Sequence, residues 1–124
     1  GDILLSLTGN VGRVCMVTGD NYLLNQRVAK LESDYTSYTY CMFRSKDMFD
    51  AMNNLANGAA QQNLSPIRTG KIIITFPSNE LLISFEKIVS PLIQKILTLK
   101  KMSLFSIQAR DRLLPKLMSG ELEV

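Results

Sequence analysis

The 124-residue sequence contains no histidine and only two cysteines, which form no Cys-x-x-Cys pair. Histidine is the commonest general base and, with cysteine, the usual zinc ligand, so an active site or a zinc site would have few residues to use. No apolar run approaches the roughly 18–20 residues of a membrane-spanning helix, and no secretory signal is visible. These absences argue against a small enzyme, a zinc protein and a membrane protein.

The two cysteines indicate a reducing compartment. Cys15 and Cys41 each stand within a short apolar run. Unpaired cysteines among apolar neighbours are typically buried, and free thiols are typical of the cytoplasm. We therefore expect two buried free thiols in a cytoplasmic protein.

Apolar residues make up 46% of the chain and charged residues 20%, which is typical of a folded domain. The net charge is +3, and basic residues outnumber acidic ones most clearly between residues 80 and 120. A basic helical surface has two interpretations, a solvated face or contact with a nucleic acid. Charge alone leaves both open.

The order of sequence patterns predicts an α+β fold in two parts, a small α/β body over residues 1–77 and a long helix over residues 78–124. Alternating apolar residues bounded by turn signals predict strands near residues 3–7, 14–17 and 28–31, the first two as a hairpin.

Further elements are predicted within the same body. The β-branched run 71–76, stopped by Pro77, is the clearest strand pattern in the chain. Capping and turn residues predict three helices: over residues 37–43, from the N-cap Ser45 to a C-terminal cap near Gly58, and for one turn from Pro66.

The long helix is predicted to begin at Ser78 or Asn79. Its apolar residues recur in alternating steps of three and four, which is typical of a coiled-coil seam. We expect Pro91 to kink or divide the helix, Pro115 to end it or allow one more turn, and Gly120 to close it. A helix of roughly 50 Å is too long for one small core, so we expect it to pair with a second helix through Phe85, Val89, Leu92, Ile96, Leu99 and Met102.

The chain contains five sequence blocks, the last of them in its C-terminal tail: GDILLSLTGNVGRV (1–14), NQRVAKL (25–31), NGAAQQNLS (57–65), KIIITFP (71–77) and RDRLLPKLMSGEL (110–122). In this order the blocks resemble those of a type I restriction–modification specificity subunit. They correspond to the second half of a target recognition domain and the conserved helix after it, and they cover essentially the whole chain.

The resemblance implies a non-catalytic subunit that recognises double-stranded DNA. Adenine methylation and DNA cleavage would belong to the modification and restriction subunits, and S-adenosylmethionine, ATP and Mg would be bound only there. Since the family's recognition domain begins before the GDIL block, we expect this chain to be part of a longer protein. Some strands would then lack partners, and we expect a homodimer through residues 80–112.

Candidate DNA-binding residues lie in turns or at strand boundaries, and each can bond to base edges or phosphates. The alternative is structural, because Asn and Gln side chains in turns often bond to the backbone instead. A further alternative function is a truncated protein-interaction module that uses the helix without recognising DNA. RNA binding has no supporting aromatic motif. The candidates are Arg13, Asn25, Gln26, Arg27, Gln61, Gln62, Asn63, Arg68 and Lys71.

Overall fold

The structure, a computed structural model, describes residues 1–56 and 62–121. Within them, an antiparallel sheet and helices form the α+β fold that the sequence predicts, ending in one long helix. The elements are β1 (Ile3–Ser6), β2 (Val14–Met16), β3 (Val28–Leu31), α1 (Thr36–Phe43), α2 (Lys46–Leu55), α3 (Pro66–Thr69) and α4 (Asn79–Met118).

The sheet has the order β2-β1-β3, with β1 antiparallel to both neighbours. Leu5 lies opposite Val14 on one side and Ala29 on the other. Successive side chains of a strand point to opposite faces, and Ile3 and Leu5 accordingly face the protein interior, where both are buried. The predicted hairpin of the first two strands is confirmed.

Buried side chains from β1, the loop after β1, α2 and the segment before α3 form the core of the body. Leu5, Val11, Met48, Met52 and Leu64 make up this cluster. The methionines lie four residues apart on α2, on one helical face. The core therefore joins β1 to α2.

Serine caps define the starts of α2 and α3, as the sequence predicts. The hydroxyl of Ser45 accepts a hydrogen bond from the Met48 N–H, and the hydroxyl of Ser65 accepts one from the Arg68 N–H. Each bond satisfies one of the free N–H groups at a helix start. Gly58, the predicted C-terminal cap of α2, lies outside the described residues.

The strand predicted over residues 71–76 is wrong. Residues 72–78 form neither helix nor strand, and no described strand pairs with them. A β-branched run forms a strand only where a neighbour supplies hydrogen-bond partners. Ile72 packs against the core cluster and the Phe76 ring meets the Tyr38 ring edge-on, whereas Ile73 is 97% exposed.

The predicted burial of both cysteines is also wrong. Cys15 and Cys41 are free thiols, but both are exposed. Leu4, which lies opposite Cys15 in the sheet register, is on the face away from Leu5, so Cys15 is on the outer face of the sheet. Partial burial nevertheless raises the pKa of the Cys41 thiol, because the thiolate would lose hydration.

Helix α4 runs without a break through both prolines, so Pro91 does not divide it. It begins after Ser78, whose hydroxyl accepts a hydrogen bond from the Leu81 N–H. It continues for one short turn beyond Pro115 and ends before Gly120, whose φ is +72°. The left-handed Gly120 is typical of a helix C-terminus. Forty residues give a helix about 60 Å long.

The first half of α4 packs against the body, chiefly against α1. Leu82 and Ile93 are buried there, and the Phe85 ring meets Tyr38 edge-on at 5.9 Å. The Glu86 carboxylate accepts a 2.8 Å hydrogen bond from the Tyr38 N–H in the first turn of α1. Since α1 has no side-chain cap of its own, Glu86 supplies the missing acceptor.

A second apolar surface of α4 faces solvent. We call it the outer stripe, and each of its side chains is more than half exposed. Every residue from 98 to 121 is exposed, and Lys101 still forms a 3.2 Å ion pair with Asp20 of the body. The helix beyond Lys101 extends away from the body. In the described residues, no helix is long and apolar enough to cross a membrane. The outer stripe consists of Leu81, Ile88, Leu92, Ile96, Leu99 and Met102.

Candidate nucleic-acid interface

Backbone hydrogen bonds bring most of the predicted DNA-binding residues to one end of the sheet. The Ser6 N–H donates to the Arg13 carbonyl at 2.9 Å, and the Leu7 N–H donates to the Arg27 carbonyl at 2.8 Å. An isolated β-bridge joins Thr8 to Asn63. We call this region the Asn63 end: Arg13, Asn25, Gln26, Arg27, Gln62 and Asn63, where β1 ends and β2 and β3 begin.

Two glycines shape the loop between β1 and β2. Gly9 and Gly12 have φ values of +78° and +75°, in the left-handed region that favours glycine. A Cβ at Gly12 would also lie 3.4 Å from side-chain atoms of Phe49 and Met52. The Gly-x-x-Gly pair is therefore explained by the path of the loop, which places Arg13 at the start of β2.

A turn holds the Asn-Gln-Arg block. The Asn25 side-chain oxygen accepts a 2.9 Å hydrogen bond from the Arg27 N–H, and the Asn25 carbonyl accepts one from the Val28 N–H. These bonds support the structural alternative for Asn25. The side chains of Gln26 and Arg27 are exposed and make no hydrogen bond within the described residues.

Asn63 also has a structural partner. Its side-chain oxygen accepts a 2.9 Å hydrogen bond from the Thr8 hydroxyl. The neighbouring Gln62 accepts a hydrogen bond from the Gly9 N–H through its backbone carbonyl, and its exposed side-chain amide makes no hydrogen bond to the residues that the structure describes. Gln61, predicted with them, lies outside the described residues.

Arg68 and Lys71 form a separate group. They line an open groove of about 510 Å³ with Ala51, Leu55 and Ile72, between α2 and the segment after α3. Both cations are exposed. The predicted set is therefore divided between the Asn63 end and this groove.

Positive charge at the Asn63 end and in the groove of Arg68 and Lys71 is not neutralised by carboxylates of the described residues. Among the described residues, Arg13, Arg27, Arg68 and Lys71 form no ion pair. The free donors of an arginine or lysine side chain are suited to phosphates and to guanine edges.

The opposite end of the sheet, which we call the Gly1 end, has a different charge pattern. Lys30 forms ion pairs with Glu32 at 3.1 Å and Asp2 at 3.2 Å, and hydrogen bonds to these two carboxylates raise the pKa of Lys30. The Gly1 amino group donates to the Val17 carbonyl at 2.9 Å. Free cations and paired cations are thus separated along the strands.

The predicted helix-pairing residues have two locations. Phe85 and Val89 are half-buried on the side of α4 that faces the body, and Phe85 contacts Tyr38. The other four, Leu92, Ile96, Leu99 and Met102, belong to the exposed outer stripe.

Arg44 is an exposed cation that the sequence prediction missed. It caps the C-terminus of α1, and its guanidinium lies 5.1 Å from the centre of the Tyr40 ring. From the sequence, Arg44 could have been selected only by its position between two short predicted helices. In the part of the chain that the structure describes, no group of three or more Cys, Asp or Glu residues could hold a metal ion.

The chain is similar to the type I restriction enzyme HindI specificity subunit of Haemophilus influenzae. The two are 29% identical over 123 residues, which is 97% of this chain and 27% of that protein. No family model matches the chain, and no solved structure matches it. The match supports a relationship to type I specificity subunits, and this chain spans about a quarter of the relative's length.

Proposed function

We propose that this chain is a DNA-recognition segment of a type I restriction–modification specificity subunit. The observation that carries the proposal is the grouping of exposed Arg13, Arg27, Gln26 and Gln62 at the Asn63 end, beside Asn25 and Asn63. The whole-chain similarity to a specificity subunit supports the same function.

The side chains at the Asn63 end suit the edges and backbone of a duplex. Arginine can bond to guanine through two donors, and glutamine can bond to adenine through a donor and an acceptor. Cations without carboxylate partners do not have to break an ion pair before they bind phosphate. In this proposal Arg27, Gln26 and Gln62 contact bases, whereas Arg13, Arg68 and Lys71 contact phosphates.

Chemistry on the DNA is assigned to other subunits in this proposal. The chain would direct adenine methylation and cleavage by modification and restriction subunits, which would bind S-adenosylmethionine, ATP and Mg. The residues described above supply contacts and shape rather than a nucleophile with its base.

Fluorescence anisotropy with 30-bp duplexes of randomised sequence tests the proposal. Non-specific binding with a Kd of about 10⁻⁶–10⁻⁴ M is expected. The logarithm of the association constant should fall linearly with the logarithm of the salt concentration. Repeated selection and amplification of the bound pool should enrich a short sequence motif. Absence of binding at 50 mM salt, with the folded protein at about 100 µM, would contradict the proposal.

A protein-interaction module is the second candidate, and the outer stripe favours it. Exposed apolar surfaces of this extent on a helix usually contact another protein. We propose that the stripe packs against a second helix, supplied by another copy of this chain when the chain is alone in solution. Self-association without any duplex binding would favour this function over DNA recognition.

A further inference from the structure

A groove beside β2 holds three cationic side chains. It has a volume of about 320 Å³ and lies where the end of α1 and the start of α2 meet the first residues of β2. Two phenylalanine rings form part of its wall. The lining residues are Gly12, Arg13, Val14, Phe43, Arg44, Lys46 and Phe49.

Aromatic rings hold two of these cations in place. The Arg13 guanidinium lies 4.8 Å from the centre of the Phe49 ring, and the Arg44 guanidinium lies 5.1 Å from that of Tyr40. A guanidinium over a ring face keeps hydrogen-bond donors at its edge. Within residues 1–56 and 62–121, neither guanidinium forms an ion pair, whereas Lys46 pairs with Asp50. The Arg44 guanidinium also donates one hydrogen bond, from Nη1 to the Tyr40 hydroxyl. Arg13 and the remaining N–H groups of Arg44 are therefore the available donors.

A second groove extends the cationic surface towards α4. It has a volume of about 290 Å³ and shares Val14 and Arg44 with the first. Lys100 of α4 also lines it, and this side chain is exposed. Positively charged groups thus continue from the Asn63 end, through Arg13 and Arg44, to Lys100.

We propose that these connected grooves bind successive phosphates of one DNA strand. The proposal rests on the proposed function and extends it, because bound DNA would continue from the Asn63 end along β2 towards α4. Planar guanidinium groups bond phosphate oxygens through paired donors. Contacts of this kind strengthen binding to every sequence alike. Arg44 is the new contact that defines the path.

Salt dependence of duplex binding tests the role of Arg44. We compare the chain with Arg44→Ala, Arg44→Lys and Lys87→Ala, using randomised 30-bp duplexes. Lys87 is an exposed cation of α4 that lines neither groove, so its removal controls for net charge. The logarithm of the association constant falls as the logarithm of the salt concentration rises. Loss of one phosphate contact should make this negative slope shallower by about one.

The expected result is a reduced slope for Arg44→Ala only. Arg44→Lys keeps the charge and should keep the slope, with weaker binding at fixed salt because the paired donors are lost. In the unsubstituted protein, NMR signals of the Phe43 and Phe49 rings should shift as duplex is added. This second measurement does not depend on how well any variant folds.

Three outcomes would overturn the proposal. The first is an equal salt slope for Arg44→Ala and Lys87→Ala, with unchanged NMR signals of the Phe43 and Phe49 rings. This result would show that DNA does not bind in the grooves, and it would leave the proposed function intact. Failure of the unsubstituted chain to bind any duplex would overturn both proposals. Loss of binding to a polyglutamate peptide in Arg44→Ala, with duplex binding unchanged, would identify an acidic protein as the partner instead.

Discussion

Neighbouring residues in the Asn25–Arg27 turn have different partners. The Asn25 side chain is bonded within the turn, whereas the Arg27 side chain is exposed and only its backbone supports β1. One sequence block therefore carries a structural residue and a free cation. The structural alternative raised by the sequence is supported for Asn25, and DNA contact by Arg27 stays a prediction.

Substitution of each residue by alanine should separate these roles. Asn25→Ala should lower the free energy of unfolding by about 1 kcal/mol, since a turn hydrogen bond is lost. Arg27→Ala should change stability by less than about 0.5 kcal/mol and weaken binding to a selected duplex by about 1–3 kcal/mol. Urea denaturation and anisotropy measure the two effects. An Arg27→Ala variant with unchanged affinity and target would make Arg27 structural.

At the scale of residues, the sequence predicted those features that depend on a few neighbouring residues. The caps at Ser45 and Ser65 and the start of α4 near Ser78 were predicted because these features depend on residues within one turn. The exposure of Cys15 and Cys41 was not, because it depends on what packs over them from distant parts of the chain. The cation at Arg44 was missed for the same reason.

At the scale of elements, Glu86 links α4 to α1. It provides a carboxylate for the first turn of a helix that has no cap from its own flanking residues. Charged acceptors near a helix start also interact favourably with the helix dipole. The attachment of α4 to the body thus includes a directional polar contact as well as apolar packing.

Two variants of Glu86 should differ in stability. Glu86→Ala should lower the free energy of unfolding by about 1.5–3 kcal/mol, as is typical for loss of a hydrogen bond to a charged group. Glu86→Gln keeps an acceptor oxygen in a similar position and should cost less. Urea denaturation followed by circular dichroism measures both. Equal losses would show that the Tyr38 hydrogen bond does not contribute.

Helix α4 shows which features the spacing of apolar residues can predict and which it cannot. Steps of three and four correctly predicted a long helix beginning at Ser78 or Asn79, whether or not Pro91 divided it. The structure has one helix over Asn79–Met118, and α4 has two apolar surfaces. Which of them meets the body depends on α1, a distant element. For the same reason the run 71–76 was wrongly predicted as a strand, because strand formation needs a partner that local sequence does not specify.

A charge in the outer stripe should disrupt self-association of α4. Ile96→Glu is expected to shift the chain from dimer to monomer at micromolar concentration, because a carboxylate would be buried in an apolar contact. Gln94→Glu is the matched control, since residues two apart lie on nearly opposite sides of a helix and Gln94 is exposed. Light scattering measures the change, and a monomeric parent chain would contradict this pairing.

At the scale of the whole molecule, the body has two ends of different charge character. Arg13 and Arg27 at the Asn63 end are free of ion pairs within the described residues, while Lys30 at the Gly1 end is paired with two carboxylates. DNA attracts free cations more strongly than cations already neutralised by acids. The molecule therefore has one end with free cations, which is the end that we propose for DNA, and α4 extends from the body with the outer stripe exposed.

The most direct test is an NMR titration of the isotope-labelled chain with a duplex from the selected pool. Amide signals of Thr8, Gly9, Arg27 and Asn63 should shift, whereas those of Asp2, Lys30 and Glu32 at the other end of the same sheet should stay unchanged. Raising the salt concentration should reverse the shifts, because phosphate contacts weaken as ions compete. Shifts confined to the Gly1 end or to the outer stripe, with the Asn63 end unaffected, would contradict the account.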